Sequence, residues 1–497
     1  MKGIRFDFNS MMAHNIGARH GVTPADLRSI RKAAARAHRH LAFLKKDCAS
    51  RLNNSVEWLT LPFQERKAYA SVEKTGRAVA ARYENVISLG IGGSYLGLKA
   101  GQQALAAPYY NEFAGCQAAK RPRIYFEGNN LDPTPLVTLL KNLDPKKTFV
   151  VVISKSGETT ETKAAFDVVS AWLKRGAGRR YGRQVFAITD PSSGTLRRRV
   201  WEEQARDPLS FRSTALLPGV GGRYSEFNMG LLHLALIGVP ISEVLAGARA
   251  MATACSRGDL MKNPAYLYGA LQYLAYKKKG KPIGILMPFT ELLTATAEWY
   301  CQLLAESTGK KFGRRIHAAA RGSEFWRANR DRVLNVGRTP VATRGTTDLH
   351  SLLQNTVEGE NDKTVTMVRI KNFAQDLTVP VAGGFLSGHR FSELLGLAQE
   401  ATAWALVRAR RPNCTITLDR LTPHTWGGLI FFFEMATAFE AELLNVHGFD
   451  QPGVESYKKY MYVKLKKPGV PGGAAREIRS HRVKTEARFV LELGGYS

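Results

Sequence analysis

The chain has 497 residues, and 71 lysine and arginine residues outnumber 42 aspartate and glutamate residues, for a formal net charge of +29. This length allows two large domains with buried cores. The basic residues are spread over many helices and are not interleaved with stacking aromatics, so we expect a solvated basic surface and no specific nucleic-acid partner.

Two further features of the composition narrow the class of protein. The most apolar run, LIFFFEMATAFEAELL, is interrupted by Glu434 and Glu440, so no membrane span and no membrane partner are expected. The five cysteines lie far apart and form no CxxC pair, which predicts reduced thiols in a cytoplasmic protein and argues against a zinc or disulfide framework. They are Cys48, Cys116, Cys255, Cys301 and Cys414.

The first 85 residues are predicted to be mainly helical. From residue 86 onward strands alternate with helices, and four strand-turn-helix units begin at VISL, RIYF, TFVVVI and QVFAIT. Such alternation is typical of a parallel sheet with helices on both faces, so the predicted fold class is α/β.

A second set of elements follows a helical stretch near residues 228–275. Its predicted strands are PIGILMPFT, TVTMVRI and LTVPVA, and long helices are predicted at 390–410 and 427–444. A Pro/Gly-rich linker begins at Pro468, and no role is predicted for the basic tail after it.

The stretch VVVISKSGETTETK, residues 150–163, predicts a buried strand, a tight turn and a helix. Its turn supplies the hydroxyls of Ser154, Ser156 and Thr159 and the ammonium group of Lys155. Together with the N–H groups of a helix N-terminus these groups form an anion site, for which phosphate is the natural occupant. An ordinary helix cap is the alternative interpretation.

Two glycine-rich loops precede other predicted helices. GIGGSYLG, residues 90–97, fits neither the dinucleotide nor the P-loop spacing, but it lets the backbone approach a ligand and presents Ser94 at a helix N-terminus. GVGGRYS, residues 219–225, places Arg223 directly after glycines, where its rigid donor fork could stabilise an oxyanion. A plain turn and a surface arginine are the alternatives.

The helix ELLTATAEWYCQLLAE carries a candidate general base. Leu292, Thr296, Trp299, Leu303 and Glu306 recur at intervals of four and three, which places Glu306 on the stripe predicted to face the core. A glutamate at the exposed edge of that face is the alternative. By themselves His350, in GTTDLHS, and the polar residues of FDQPGVESYK would be interpreted as structural.

Six segments occur in order between residues 90 and 458: GIGGSYLG, SKSGETTET, GVGGRYS, WYCQLLAESTGKK, GTTDLHS and FDQPGVESYK. This ordered set resembles the glucose-6-phosphate isomerase (phosphoglucose isomerase) family over roughly residues 60–460. The resemblance implies two sugar-isomerase domains, each a flavodoxin-like three-layer α/β/α sandwich with a mainly parallel sheet, plus N-terminal helices and a C-terminal helical tail. The boundaries that we expect are 1–60, 61–235, 236–445 and 446–497.

The resemblance also implies roles for the matching residues. Glu306 would move a proton between C2 and C1 of the sugar, and Arg223 would steady the enediolate. His350, contributed by the other subunit of a homodimer, and Lys458 would assist ring opening. The residues that would bind the substrate are Gly93, Ser94, Ser154, Lys155, Ser156, Thr159, Glu161, Gly222 and Gln451.

The implied activity is the interconversion of D-glucose 6-phosphate and D-fructose 6-phosphate in glycolysis and gluconeogenesis, in the cytoplasm. It needs a base, a positive group and a phosphate-binding loop, and we expect neither a cofactor nor a metal. Two alternatives stay open: an isomerase that also acts on mannose 6-phosphate, and a sugar-phosphate-binding regulator without turnover. His447 and Gly448 depart from the family's Asn-Pro, and we expect them to loosen the turn before Gln451.

Overall fold

The computed structural model describes residues 3–113, 121–382, 384–481 and 483–491. Cys116, one of the cysteines considered above, lies outside the described residues. The chain divides into two compact units, Met1–Phe449 and Asp450–Ser497. The domain boundaries expected from the sequence at 60, 235 and 445 stay a prediction.

The β-strands of the described residues all lie in the first unit. They are β1 (Ile4–Asp7), β2 (Asn85–Leu89), β3 (Arg123–Glu127), β4 (Thr148–Ile153), β5 (Val185–Thr189), β6 (Arg212–Ala215), β7 (Ile283–Phe289), β8 (Lys310–Ala318), β9 (Glu324–Val336), β10 (Thr339–Ala342), β11 (Lys363–Ile370) and β12 (Asn413–Leu418).

The first unit also contains most of the α-helices. They are α1 (Ala13–Ile16), α2 (Pro24–Ser29), α3 (Arg31–Lys46), α4 (Cys48–Asn54), α5 (Arg66–Ala80), α6 (Leu96–Leu105), α7 (Pro133–Asn142), α8 (Thr160–Ala177), α9 (Thr195–Arg206), α10 (Gly230–Leu236), α11 (Ile241–Ala254), α12 (Pro264–Lys279), α13 (Thr294–Thr308), α14 (Leu353–Glu358), α15 (Phe391–Arg408) and α16 (Pro423–Leu444).

The first sheet is entirely parallel and has the order β3-β2-β4-β5-β6. Alternate residues of each strand point to opposite faces, so Ile87 and Val150 pack with Phe166 of α8, whereas Val86 and Val151 belong to the core cluster on the other side. Both faces are therefore covered, which gives the predicted three layers. The order is that of flavodoxin-like sheets, and it reverses between β2 and β4, where such sheets bind ligands.

The second sheet has the order β1-β12-β11-β7-β10, and only β1 runs antiparallel to its neighbour. Its strands β7, β10, β11 and β12 repeat the order of the first four strands in the first sheet. Ile285 and Met367 pack towards Leu406 of α15, while Leu286 and Ile416 face the main core. The α/β class with mainly parallel sheets, predicted from the alternation of elements, is confirmed.

Three details of the sequence-based prediction were wrong or incomplete. The mainly helical N-terminal region also contains β1, a four-residue edge strand that is ordered by its pairing with β12. The predicted strand LTVPVA is not a strand: Pro380 lacks an N–H donor, and Val381 is 92% exposed. The antiparallel hairpin of β8 and β9 was not predicted.

Helix α16 is the most deeply buried long element. The hydroxyl of Thr422 caps its N-terminus, and nearly all of its residues from Thr425 to Leu444 are buried. Glu440 on this helix forms a bidentate pair with Arg338, with both N···O distances 2.8 Å. No helix in the described ranges combines the length and the apolar composition needed to cross a membrane.

The second unit is a short helical segment. It contains α17 (Glu455–Lys464) and α18 (Gly472–Ser480), which follow the 3-10 turn Pro452–Val454. A helical C-terminal segment was expected from the sequence, and the linker that begins at Pro468 separates the two helices.

The ring of His40 joins three elements of the first unit. Its Nδ1 lies 2.9 Å from Glu442 of α16, and its Nε2 lies 2.6 Å from Glu324 of β9. Burial alone would lower the pKa of His40, but the hydrogen bonds to both carboxylates outweigh burial and raise that pKa to about 9. The ring is therefore charged at neutral pH and ties α3 to the hairpin and to α16.

We expect His40→Gln to lower the free energy of unfolding by about 3 kcal/mol at pH 6, the energy that corresponds to this pKa shift. Because the pKa is raised in the folded state, the stabilisation is complete below about pH 6.5 and is lost as the pH rises through about 9. Denaturant unfolding at pH 6 and pH 10 measures the difference. His14→Gln, at an exposed histidine, is the control, and an equal loss at both pH values for His40→Gln would contradict the assignment.

Candidate active site

Two loops meet beside the point where the order of the first sheet reverses. One follows β2 and contains the 3-10 turn Gly92–Ser94, and the other contains the 3-10 turn Gly222–Tyr224. A Cβ atom on Gly93 would lie 2.2 Å from the carbonyl carbon of Gly222 and 2.6 Å from the nitrogen of Arg223. Only glycine at position 93 permits this approach.

Arg223 is 2% exposed and donates to three acceptors, two on neighbouring residues of α13 and one on Gly448. Its Nε donates to Ser307 Oγ at 3.0 Å, its Nη1 to Glu306 Oε2 at 3.0 Å, and its Nη2 to the carbonyl oxygen of Gly448 at 2.8 Å. The guanidinium plane is therefore fixed from three sides. The surface arginine considered as an alternative is not what the structure shows.

Glu306 lies in the last turn of α13, and its side chain is 27% exposed. Trp299 and Leu303 of the predicted stripe are fully buried, whereas the carboxylate is at the edge of that face. Both of its oxygens are held: Oε2 accepts from Arg223, and Oε1 accepts from Gln302 Nε2 at 2.9 Å. The carboxylate thus keeps a fixed orientation and remains partly accessible.

The loop after β4 is shaped by its own hydroxyls. Ser154 is buried, and its Oγ accepts from the backbone N–H of Gly157 at 3.0 Å, while Ser156 Oγ accepts from the N–H of Glu158 at 3.1 Å. Lys155 and Ser156 are exposed. Thr159 occupies the N-cap position of α8 but makes no side-chain hydrogen bond there, so it does not form the ordinary cap considered as an alternative.

The remaining residues near these loops differ in burial. Ser94 is half-buried, and its Oγ is 3.9 Å from the sulfur of Met229, which is a weak contact. Glu161 is buried in the first turn of α8. Gly92 has φ = +59°, and a Cβ atom there would lie 2.9 Å from the amide nitrogen of Gln302. The loop after β2 (the glycine loop) therefore lies against the side-chain amide of Gln302, which donates to Glu306.

The contacts of this cluster do not test the roles of three residues predicted for the site. His350 is exposed at the end of the 3-10 turn Thr347–Leu349 and takes no part in the contacts described above. Gln451 and Lys458 belong to the second unit, where Lys458 Nζ is 3.0 Å from Glu455 Oε1. Their assignment to the site stays a prediction.

Sequence reasoning missed three residues that organise the cluster. Gln302 precedes Glu306 by four residues, and this helical spacing could have indicated a contact between the two side chains. Ser307 directly follows Glu306, but nothing local indicates that its hydroxyl accepts from Arg223. The carbonyl group of Gly448 has no sequence signal, because the contact depends on the tertiary fold.

Several contacts fix the turn at His447 and Gly448, although the sequence predicts that these two residues loosen it. The backbone N–H of Phe449 donates to His447 Nδ1 at 3.2 Å, and the His447 ring lies 5.0 Å from the ring of Trp326. A Cβ atom on Gly448 would lie 2.9 Å from the Cβ of Ala441. The departure from the family's Asn-Pro is therefore accommodated by a glycine that brings the turn close to α16.

The sequence profile of the phosphoglucose isomerase family matches residues 18–324. The chain belongs to the phosphoglucose isomerase family. A relative from Carboxydothermus hydrogenoformans named glucose-6-phosphate isomerase is 38% identical over 439 residues, which cover 87% of this chain and 89% of that one. A relative of the same name from Symbiobacterium thermophilum is 35% identical over 420 residues, with 83% and 87% covered.

Solved structures show the same fold. A hypothetical protein from Thermus thermophilus has a TM-score of 0.77 at 29% identity, with 93% of this chain and 99% of that chain covered. A glucose-6-phosphate isomerase from Chlamydia trachomatis has a TM-score of 0.76 at 19% identity, with 97% and 92% covered, and at that identity the likeness concerns the fold alone. The cluster around Arg223 therefore lies in a phosphoglucose isomerase fold.

We expect Gly93→Ala to lower the free energy of unfolding by about 1–3 kcal/mol, because the added methyl group forces the glycine loop away from Gly222 and Arg223. The same displacement should lower sugar-phosphate affinity by at least about tenfold. Denaturant unfolding and titration calorimetry measure the two effects. Gly230→Ala, where the added atom meets nothing within 4 Å, is the matched control. Equal behaviour of the two variants would contradict the close-approach argument.

Proposed function

We propose that the chain interconverts D-glucose 6-phosphate and D-fructose 6-phosphate through an enediolate, as an aldose-ketose isomerase of glycolysis and gluconeogenesis. The observation that carries this proposal is a fixed, partly exposed carboxylate, Glu306, held 3.0 Å from the buried guanidinium group of Arg223. Membership of the phosphoglucose isomerase family supports it.

Glu306 acts as the general base in this proposal. Its carboxylate takes the proton from C2 of the open-chain aldose and returns it to C1, while the hydroxyl proton of O2 passes to O1. The carbonyl group thereby moves from C1 to C2, and no atom is gained or lost. Gln302 and Arg223 each donate to one carboxylate oxygen, which supports a single orientation of the base during both transfers.

Arg223 lies beside the charge that the reaction moves. Before the transfer its Nη1 donates to the negatively charged carboxylate of Glu306. When Glu306 takes up the proton, negative charge develops on the substrate oxygen, and the same buried guanidinium group can stabilise it with little reorganisation. Because Nε and Nη2 are bound to Ser307 and Gly448, the arginine keeps its position while this happens.

The phosphate group of the substrate is proposed to bind at the loop after β4 and at the N-terminus of α8. Lys155 supplies an exposed ammonium group, and the first turn of α8 has no side-chain cap from Thr159. Ser94, Ser154, Ser156 and Thr159 contribute hydroxyls. The remaining residues proposed to line the substrate site are Gly93, Glu161, Gly222 and Gln451.

The protein is proposed to work as a homodimer in which His350 of one subunit and Lys458 assist ring opening. His350 is exposed and takes no part in the contacts that hold Glu306, which supports a role for it in the active site of the partner subunit. The segments 1–60, 61–235, 236–445 and 446–497 are proposed as the structural divisions of the chain. Two separate sheets with a repeated strand order support the two central segments.

A cytoplasmic location is part of the proposal. The cysteines of the described residues are free thiols, and burial raises the pKa of Cys255 and of Cys414 to about 12. Such buried thiols are packing residues and resist oxidation, which suits a protein that keeps its cysteines reduced.

Glu306→Gln should lower kcat for fructose 6-phosphate by about a thousandfold or more, because the amide cannot accept the C2 proton, while sugar-phosphate affinity survives. A coupled assay and titration calorimetry measure both. Glu298→Gln, on the same helix but at a half-buried glutamate paired with Lys99, is the control and should keep its turnover. Unchanged turnover in Glu306→Gln would remove this residue from the proposed role, and binding without turnover in the wild type would indicate the regulator.

Mixing two inactive variants tests the shared site. Glu306→Gln and His350→Ala should each be inactive as homodimers. If His350 serves the partner, then a mixed dimer has one complete site, made by Glu306 of one subunit and His350 of the other. Random mixing by denaturation and refolding should restore about a quarter of wild-type activity, since half of the dimers are mixed and each has one of two sites. No recovery, with mixed dimers detected by native mass spectrometry, would contradict the arrangement.

A further inference from the structure

Two glutamates that the proposed chemistry does not use lie together in the core. Glu226 lies three residues after Arg223, in the loop that contains the 3-10 turn Gly222–Tyr224 (the arginine loop). Glu226 is 1% exposed, and Glu434 on α16 is 0% exposed. Glu226 Oε1 accepts a hydrogen bond from Trp299 Nε1 at 2.7 Å. Within the described part of the chain, the other three carboxyl oxygens of the two residues meet no hydrogen-bond donor.

The two carboxyl groups interact directly with each other. Burial raises the pKa of Glu226 to about 8, and burial together with the neighbouring charge of Glu226 raises the pKa of Glu434 well above its usual range. Two buried carboxylates in contact would repel each other and leave their oxygens unsatisfied. One proton between them removes a charge and supplies the missing donor.

Among the described residues that face the pair, none offers another neutralising group. The loop of Glu226 contributes Arg223, whose three nitrogens are bound elsewhere, and Tyr224, whose pKa is raised by burial. Helix α13 contributes the indole of Trp299, and α6 contributes Gly97, where a Cβ atom would lie 2.2 Å from Glu226 Oε1. Neither of these two residues titrates.

We propose that at least one proton is held between Glu226 and Glu434 in the active protein, and that this protonated pair positions the arginine loop against helix α13. Glu226 belongs to the segment that carries Arg223, and its bond to Trp299 reaches α13 seven residues, or about two helical turns, before Glu306. The pair therefore acts through Arg223 and Glu306, and both glutamates are positioning residues.

Loss of the shared proton separates the pair and loosens this connection. Both pKa values are raised in the folded state, so the stabilisation is complete below the ordinary value of 4.5. Glu226 gives up its proton as the pH rises through about 8, and the proton shared with Glu434 leaves at still higher pH, because the charge of Glu226 raises the pKa of Glu434. Catalytic efficiency should follow: once the shared proton leaves, at a pH above that at which Glu226 titrates, kcat/KM of the wild type should fall by up to about tenfold per pH unit.

Glu434→Gln removes the need for the proton, because its amide can donate to the carboxylate of Glu226. With each enzyme normalised to its own value at pH 7, the fall in kcat/KM at alkaline pH, followed from pH 8 to pH 10.5, should be present in the wild type and absent in Glu434→Gln. Glu440→Gln, at a buried glutamate of the same helix that is paired with Arg338, is the matched control and should keep the wild-type profile. Identical profiles for all three proteins would overturn the proposal.

Infrared spectroscopy of the full chain tests the proton itself. The pH profile of kcat/KM rests on the proposed isomerase activity, whereas the infrared band does not. Failure of the proposed function can therefore be told apart from failure of the proton assignment. The wild type near pH 6.5 should show the C=O stretch of a protonated carboxyl group. This band should weaken as Glu226 titrates near pH 8 and vanish only at higher pH, and the part that persists above pH 8 should be missing in Glu434→Gln. Should that variant not fold, the wild-type titration alone decides, and absence of the band at pH 6.5 would overturn the shared proton.

Discussion

The buried charge of Arg223 is the constraint on which the rest of this site depends. A guanidinium group that is 2% exposed is costly unless every donor finds an acceptor, and the fold supplies a carboxylate, a hydroxyl and a carbonyl oxygen around it. These acceptors come from α13 and from the turn that follows α16. The arginine therefore fixes the position of the loop, the helix and the turn relative to one another.

The topology explains why the glycine loop after β2 reaches the crevice beside this arginine. In the first sheet β2 and β4 are neighbours, and the strand order reverses between them, so their carboxyl ends open a crevice. The glycine loop after β2 then approaches Gly222 so closely that a single methyl group would separate them. The glycine loop and the arginine loop therefore meet through their backbones rather than through packed side chains.

The sequence predicted the elements that have strong local signals. The strand of TFVVVI and the helix after it appeared where expected, because a buried β-branched run and a hydroxyl-rich turn are local features. In contrast, β1 has only four residues, and its structure depends on pairing with β12 some 400 residues away. The contacts of Arg223 with Ser307 and Gly448 were equally invisible, because they exist only in the folded chain.

The antiparallel edge strand β1 has a consequence for biosynthesis. Ile4 to Asp7 leave the ribosome about 400 residues before their partners Thr415 to Leu418. Until those partners are made, the β1 segment of the nascent polypeptide lacks the strand with which it pairs, whereas all strands of the first sheet lie between residues 85 and 215. The second sheet can therefore add its antiparallel edge only after β12 has been synthesised.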